Sequence, residues 1–202
     1  MLPPIHLQQI VSAADIESVD LLDIPYEDGA LPDPDARALL AILVAKNPEI
    51  ILEIGTYHGA TTARMAHQLP QTWIHTIDLF PGLDSHPELS DPHLIASRHI
   101  VGKHFINNPK YINVVQHYGN TFYYEFKRFR GATFFFIDGS HSYLAAKNDS
   151  EKCLKLCDGH GSFIWHDADS NHPGVLQLLE EWRTFGRDIR LIERTNLAYW
   201  EN

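Results

Sequence analysis

The sequence predicts an α/β fold, a mixed and mostly parallel sheet covered by helices on both faces. Three observations carry that expectation. Short apolar runs alternate with helix-patterned stretches along most of the 202 residues, the order that builds parallel sheets. The run Ile50-Ile51-Leu52-Glu53-Ile54 is closed by Gly55 and Gly59 and followed by a helix-like stretch, as where a buried strand turns sharply into a helix. The last two apolar runs, 189–193 and 197–200, are joined by a turn at Thr195-Asn196 with no helix between them. The chain therefore closes on an antiparallel hairpin.

Residues 1–34 are rich in proline and acidic side chains, have weak periodicity, and read as an N-terminal arm; the domain proper spans 35–202. Asp33-Pro34 pairs an N-cap residue with proline at the first helical position and opens a helix over 35–46. Strand 50–54, helix 60–69 and strand 73–77 follow. Asp91-Pro92 repeats the cap signal and opens a helix to about residue 106. Strand 112–116, helix 121–130, strand 133–137, helix 142–156, strand 162–165 and helix 173–185 complete the alternation. One domain is expected, since domains commonly hold roughly 100–200 residues and no internal repeat is present.

Ordinary apolar and charged shares, 44% and 21%, indicate a soluble globular chain. A net charge of -10 argues against a nucleic-acid partner, which calls for a basic stripe. The one basic cluster, Lys127, Arg128 and Arg130, reads as a solvated helix end. No run approaches the roughly 18 apolar residues of a membrane span, and the first residues lack the basic and apolar regions of a secretory signal. Two cysteines, Cys153 and Cys157, lie four apart on one expected helix and suit packing in a reducing cytoplasm.

In such sheets, ligands bind beyond the carboxyl ends of the strands, where the strand order reverses. Five strand ends bring polar groups there: Glu53 to Gly59, Asp78 to Phe80, Tyr118 to Thr121, Asp138 to His141, and His166 to Asp169. Gly55 and Gly59, with Thr56 and Tyr57 between them, let the backbone approach a ligand closely. A tight turn without a ligand is the plainer alternative. A dinucleotide-binding turn needs a second glycine where the pyrophosphate approaches; Tyr57 stands in that place and argues against a nicotinamide-dependent dehydrogenase.

Asp78, with Leu79 beside it, suits the two hydroxyls of a ribose, or a loop cap. Asn120, after Gly119, suits an adenine edge, an N-cap, or both. Asp138 and Asp167 form an oxygen-rich pair suited to magnesium, which His166 would tilt toward manganese, iron or zinc; a helix cap and a loop aspartate are the alternative. His141, with an ordinary pKa of about 6.5, could take up a proton near neutral pH or merely cap its helix. The loop 81–93 offers Asp84 or His86 as lid residues or is ordinary surface. Residues 1–34 could cover the pocket or support a homodimer.

The segments Glu53-Ile54-Gly55-Thr56-Tyr57-His58-Gly59, Ile137-Asp138-Gly139-Ser140-His141-Ser142-Tyr143 and Trp165-His166-Asp167, in that order, resemble the class I S-adenosylmethionine-dependent methyltransferases. More narrowly, they resemble the bacterial O-methyltransferase-like branch near catechol O-methyltransferase, macrocin O-methyltransferase and the cephalosporin-hydroxylase-type proteins. The resemblance runs from about Leu31 to the end of the chain. It implies a Rossmann-like, doubly wound sheet of seven strands and methyl transfer to a hydroxyl of a small molecule. It places Glu53, Gly55, Tyr57 and Gly59 at the methionine half of the cofactor, Asp78 at the ribose and Asn120 near the adenine. Asp138 and Asp167 match the metal-binding aspartates of the metal-dependent members, with magnesium or manganese as the ion, and Asp138 also borders the cofactor. Three positions depart from the branch. Ala168 stands where the catechol type has an asparagine ligand, His141 where it has a lysine base, and His166 where the cephalosporin-hydroxylase type has an acid. Those departures keep two other readings open: a cofactor-binding protein without chemistry, and a metal-binding tailoring protein that does not methylate.

Overall fold

The computed structural model describes residues 2–80 and 101–202. The elements are β1 (Pro4–Ile5), α1 (Ala13–Glu17), α2 (Asp33–Lys46), β2 (Ile50–Ile54), α3 (Ala60–Gln68), β3 (Trp73–Asp78), β4 (Val114–Tyr118), β5 (Phe134–Ile137), α4 (Tyr143–Leu156), β6 (Ser162–Trp165), α5 (Pro173–Thr184), β7 (Arg190–Ile192) and β8 (Ala198–Glu201). They form one sheet in the order β1-β7-β8-β6-β5-β2-β3-β4. β8 runs antiparallel to both β6 and β7, whereas the remaining pairs are parallel. The order reverses between β2 and β5, so their carboxyl ends flank the switch-point crevice.

Strand alternation divides the core between the two faces. Ile51, Phe134, Phe136 and Ile164 pack with α2 and α3; Leu52, Phe135, Phe163 and Trp165 pack with α4 and α5. Phe134, Phe135 and Phe136 are all fully buried, because a parallel strand covered on both sides has no wet face. Each such side chain contributes about 1.5–3 kcal/mol of burial free energy.

The N-terminal segment is stitched to this core. β1 pairs with β7 and gives the sheet an eighth strand, one more than the seven expected, while Val11, Val19 and Leu31 join the α2–α3 cluster. Asp33 is the first residue of α2 and not its cap; its carboxylate accepts a hydrogen bond from Arg64 of α3 at 3.1 Å. The strand expected at 112–116 is displaced two residues, to Val114–Tyr118.

The helix expected over 121–130 is replaced by turns and a short 3-10 helix, Phe126–Phe129. Three aromatic residues, Phe122, Tyr123 and Tyr124, open that stretch and hold helix weakly. Lys152 of α4 donates to the carbonyls of Phe122 (3.0 Å) and Tyr124 (3.3 Å), giving them partners outside any helix. Phe126 and Phe129 then point into the core. The loop 81–93, with Asp84 and His86, and the expected helix from Asp91 as far as residue 100 lie outside the described residues. Residues 101–107 run in turns.

Candidate active site

The β2–α3 turn is built around two close approaches. Gly55 has φ +97°, and a Cβ there would stand 1.9 Å from the carbonyl oxygen of Asp138, so glycine is required at this position. The neighbouring strand ends are tied by the Asp138 amide donating to the Ile54 carbonyl at 2.8 Å. Asp78, at the end of β3, gathers the turn amides. Its Oδ2 accepts from the amides of Thr56 (3.0 Å) and Tyr57 (2.8 Å), and its Oδ1 from Leu79 (2.6 Å).

Gly55, Asp78, Leu79, Gly119, Gly139 and Asp149 line one cleft at the switch point. Other residues expected at the cofactor stand behind or beside it. Thr56 is buried and shares a hydrogen bond with Thr76 at 2.7 Å. Tyr57 turns toward the N-terminal arm, donating from its hydroxyl to the Asp28 carbonyl at 2.7 Å. Gly59 caps α3 at φ +80°, and a Cβ there would strike the Phe105 ring at 2.5 Å. The Asn120 side chain accepts from the Phe122 amide at 2.9 Å through its carbonyl oxygen, making a turn.

Glu53 is likewise absent from the cleft wall. Strand alternation sends its side chain beneath α3, where Oε2 accepts from the Thr62 hydroxyl and the residue is fully buried. Its Oε1 has no hydrogen-bond partner among the described residues. Burial pushes the carboxyl up to about 8, against the lowering effect of its threonine partners.

A second, smaller cavity shares Gly139 and Ser140 with the cleft and adds Asp138, His141 and His166. The His166 ring stands 3.0 Å from Asp138, 3.3 Å from Asp167 and 3.4 Å from Asp35. Burial alone would depress its pKa, but the surrounding carboxylates outweigh burial and push it up to about 12. His141 Nε2 lies 2.7 Å from Asp167 Oδ2. Asp167 is opposed by burial, yet hydrogen bonds from His141 and His166 hold its carboxyl well below the usual carboxylate range. Asp167 also sits at φ +56°, a left-handed backbone that Asp adopts more readily than most residues.

Two overlapping groups could hold a cation: Asp138, His166 and Asp167, and His141, Asp167 and His172, each with donor atoms within 4.8 Å of one another. Both mix nitrogen with oxygen donors, which suits manganese, iron or zinc better than magnesium. The first group is the one expected from the sequence.

A family profile described as a methyltransferase domain matches residues 52–168, which include the turn, the cleft, all of the smaller cavity's lining except Val175, and His166–Asp167. This chain belongs to the S-adenosylmethionine-dependent methyltransferases. Solved structures agree on the fold of this methyltransferase at low sequence identity. The Podospora anserina methyltransferase PaMTH1, solved with S-adenosylhomocysteine, superposes with a TM-score of 0.59 at 14% identity, covering 97% of this chain and 92% of the other. The O-methyltransferase TomG of Streptomyces achromogenes, solved with S-adenosylmethionine, gives 0.54 at 17% identity, with 95% and 90% covered. An O-methyltransferase from Bacillus cereus gives 0.57 at 13% identity, with 97% and 100% covered. No curated protein matches the sequence significantly.

The candidate site also contains residues that the sequence pattern did not point to. Asp35 and His172 join the histidine–carboxylate cluster from α2 and from the cap of α5; neither lies at a strand end. Glu27 accepts from His58 and, at 2.5 Å, from Lys103, which lays the N-terminal arm across the glycine turn. Asp149 did carry a signal. It follows Ala146 by three residues and precedes Cys153 by four, so it falls on the buried stripe of α4. No helix is long and apolar enough to cross a membrane among the described residues.

Proposed function

We propose that this methyltransferase alkylates a hydroxyl of a small molecule, with His141 as general base. The observation that carries this reading is the His141–Asp167 pair, which opens onto a cavity adjoining the cleft at Gly139 and Ser140. When bound, S-adenosylmethionine would supply an electrophilic methyl to the acceptor oxygen and leave as S-adenosylhomocysteine. Gly55, Asp78, Leu79 and Gly119 are the residues that would hold it. The chain aligns the two reactants, an orientation effect that can dominate such a displacement.

Asp167 holds the His141 ring by its Nε2 proton, so the acceptor's hydroxyl proton passes to Nδ1. Asp167 then stabilises the imidazolium that forms. Ile137, Ala146, Trp165 and Val175 give the same small cavity apolar walls. A divalent ion held by Asp138, His166 and Asp167 would add Lewis-acid polarisation of the acceptor oxygen.

Incubation with methyl-labelled S-adenosylmethionine and a panel of phenols, sugars, amines and thiols tests the accepting atom. The expected products are a labelled methyl ether and S-adenosylhomocysteine in equal amounts. Labelling confined to nitrogen or sulfur would contradict the reading.

A further inference from the structure

Asp149 takes no part in the chemistry above, yet it is among the most unusual residues of the molecule. It is a carboxylate only 2% exposed, on the inner stripe of α4, and it forms part of the cleft wall. Among the described residues no cation pairs with it. Lys147, two residues before it, is paired with Glu181 at 2.7 Å, and Lys152, three residues after it, donates to the carbonyls of Phe122, Tyr124 and Thr121. Asp149 Oδ1 accepts from the neighbouring Asn148 amide at 2.8 Å. Burial pushes the carboxyl up to about 6, more than Thr121, Asn148 and the nearby charge of Lys152 pull it down. A buried carboxylate without a counter-ion is costly unless donors reach it.

The cleft supplies the rest of a recognition site. Ile54, Ile77 and Leu79 give it apolar sides. Gly139 opens the way to the carboxylate: a Cβ there would lie 3.6 Å from Asp149 Oδ2 and 3.3 Å from the Ile54 side chain, filling the space between them. Apolar sides with one acceptor at the end suit a flat heteroaromatic ring that presents an N–H on its edge. An aliphatic ammonium would instead favour an open, hydrated carboxylate.

We infer that Asp149 reads the exocyclic amino group of the cofactor's adenine ring, making it the residue that distinguishes a 6-amino purine from a 6-oxo purine. The inference rests on S-adenosylmethionine occupying this cleft.

The test compares S-adenosylhomocysteine with its hypoxanthine analogue, in which a carbonyl replaces the amine, on the wild-type chain and on Asp149→Asn. The wild type is expected to prefer the adenine compound by about 10- to 100-fold, the range for a hydrogen bond to a charged group. In Asp149→Asn, whose amide can donate to the carbonyl, that ratio should fall toward one or invert. Retained binding of either compound shows that the variant folds. Asp149→Ser, which lacks the charge, should narrow the ratio without inverting it. An unchanged ratio in both variants would overturn the assignment, as would an equal loss of both compounds. If the wild type binds neither compound, the cofactor reading fails and takes this inference with it. If it binds both equally, only the inference fails.

Discussion

Replacing His141 with alanine is expected to lower turnover by roughly 10²–10⁴-fold, the usual contribution of a positioned general base, while S-adenosylhomocysteine affinity stays within about twofold. The asymmetry follows from the geometry. His141 faces the smaller cavity and Asp167, and it is not part of the cleft that Gly55, Asp78 and Gly119 line. Steady-state kinetics on an accepted hydroxyl substrate, paired with a binding isotherm, separates the two effects. Unchanged turnover would remove His141 as the base, and a parallel loss of cofactor affinity would give it a binding role instead.

Glu53 should make a large contribution to the pH dependence of stability. In the unfolded chain its carboxyl titrates near its ordinary 4.5, and in the fold near 8. The folded state therefore holds the proton more tightly. The stabilisation is fully present below about pH 4.5 and is lost as pH rises through 8, levelling off above it. The total reaches up to about 5 kcal/mol by linkage, with a few kcal/mol the expected size in urea melts between pH 5 and 9. Glu53→Gln keeps the shape and an acceptor for Thr62 but cannot ionise. Its stability should fall less steeply with pH in that window, since the contribution of the Glu53 proton is gone. A wild-type and variant pair with parallel pH profiles would show that Glu53 ionises at an ordinary pH despite its burial.

Much of the fold was legible because its signals are local. Phe134–Ile137 and Ser162–Trp165 are short apolar runs bounded by polar turns, and each is a strand where periodicity puts it. Ser142, expected as the first residue of that helix, instead caps α4 through its side chain, accepting from the Ala145 amide at 3.2 Å. The missing helix at 121–130 was not legible, because Lys152, some thirty residues later, satisfies its carbonyls. The eighth strand escaped for a similar reason: two residues, Pro4 and Ile5, show no alternation, and only the edge of β7 makes them a strand.

The site divides along the same line. Strand ends are a topological rule, so Gly55, Asp78, Gly119, Asp138, His166 and Asp167 could be gathered at one end of the sheet before any coordinates. Direction of the side chain was the harder part. Glu53 belongs to that group by position, but its place in the strand turns it under α3, away from the cleft. Asp35, His172 and Asp149 reach the site from helices, where only three-dimensional packing assigns them to it.

The most direct test of the account is calorimetric titration of the purified chain with S-adenosylhomocysteine, with and without added manganese. Binding of one molecule per chain at micromolar affinity is the expected result, with Asp78→Ala weakening it through the turn it organises. A folded chain that takes up no S-adenosylhomocysteine under either condition would contradict the proposed cofactor site at the strand ends.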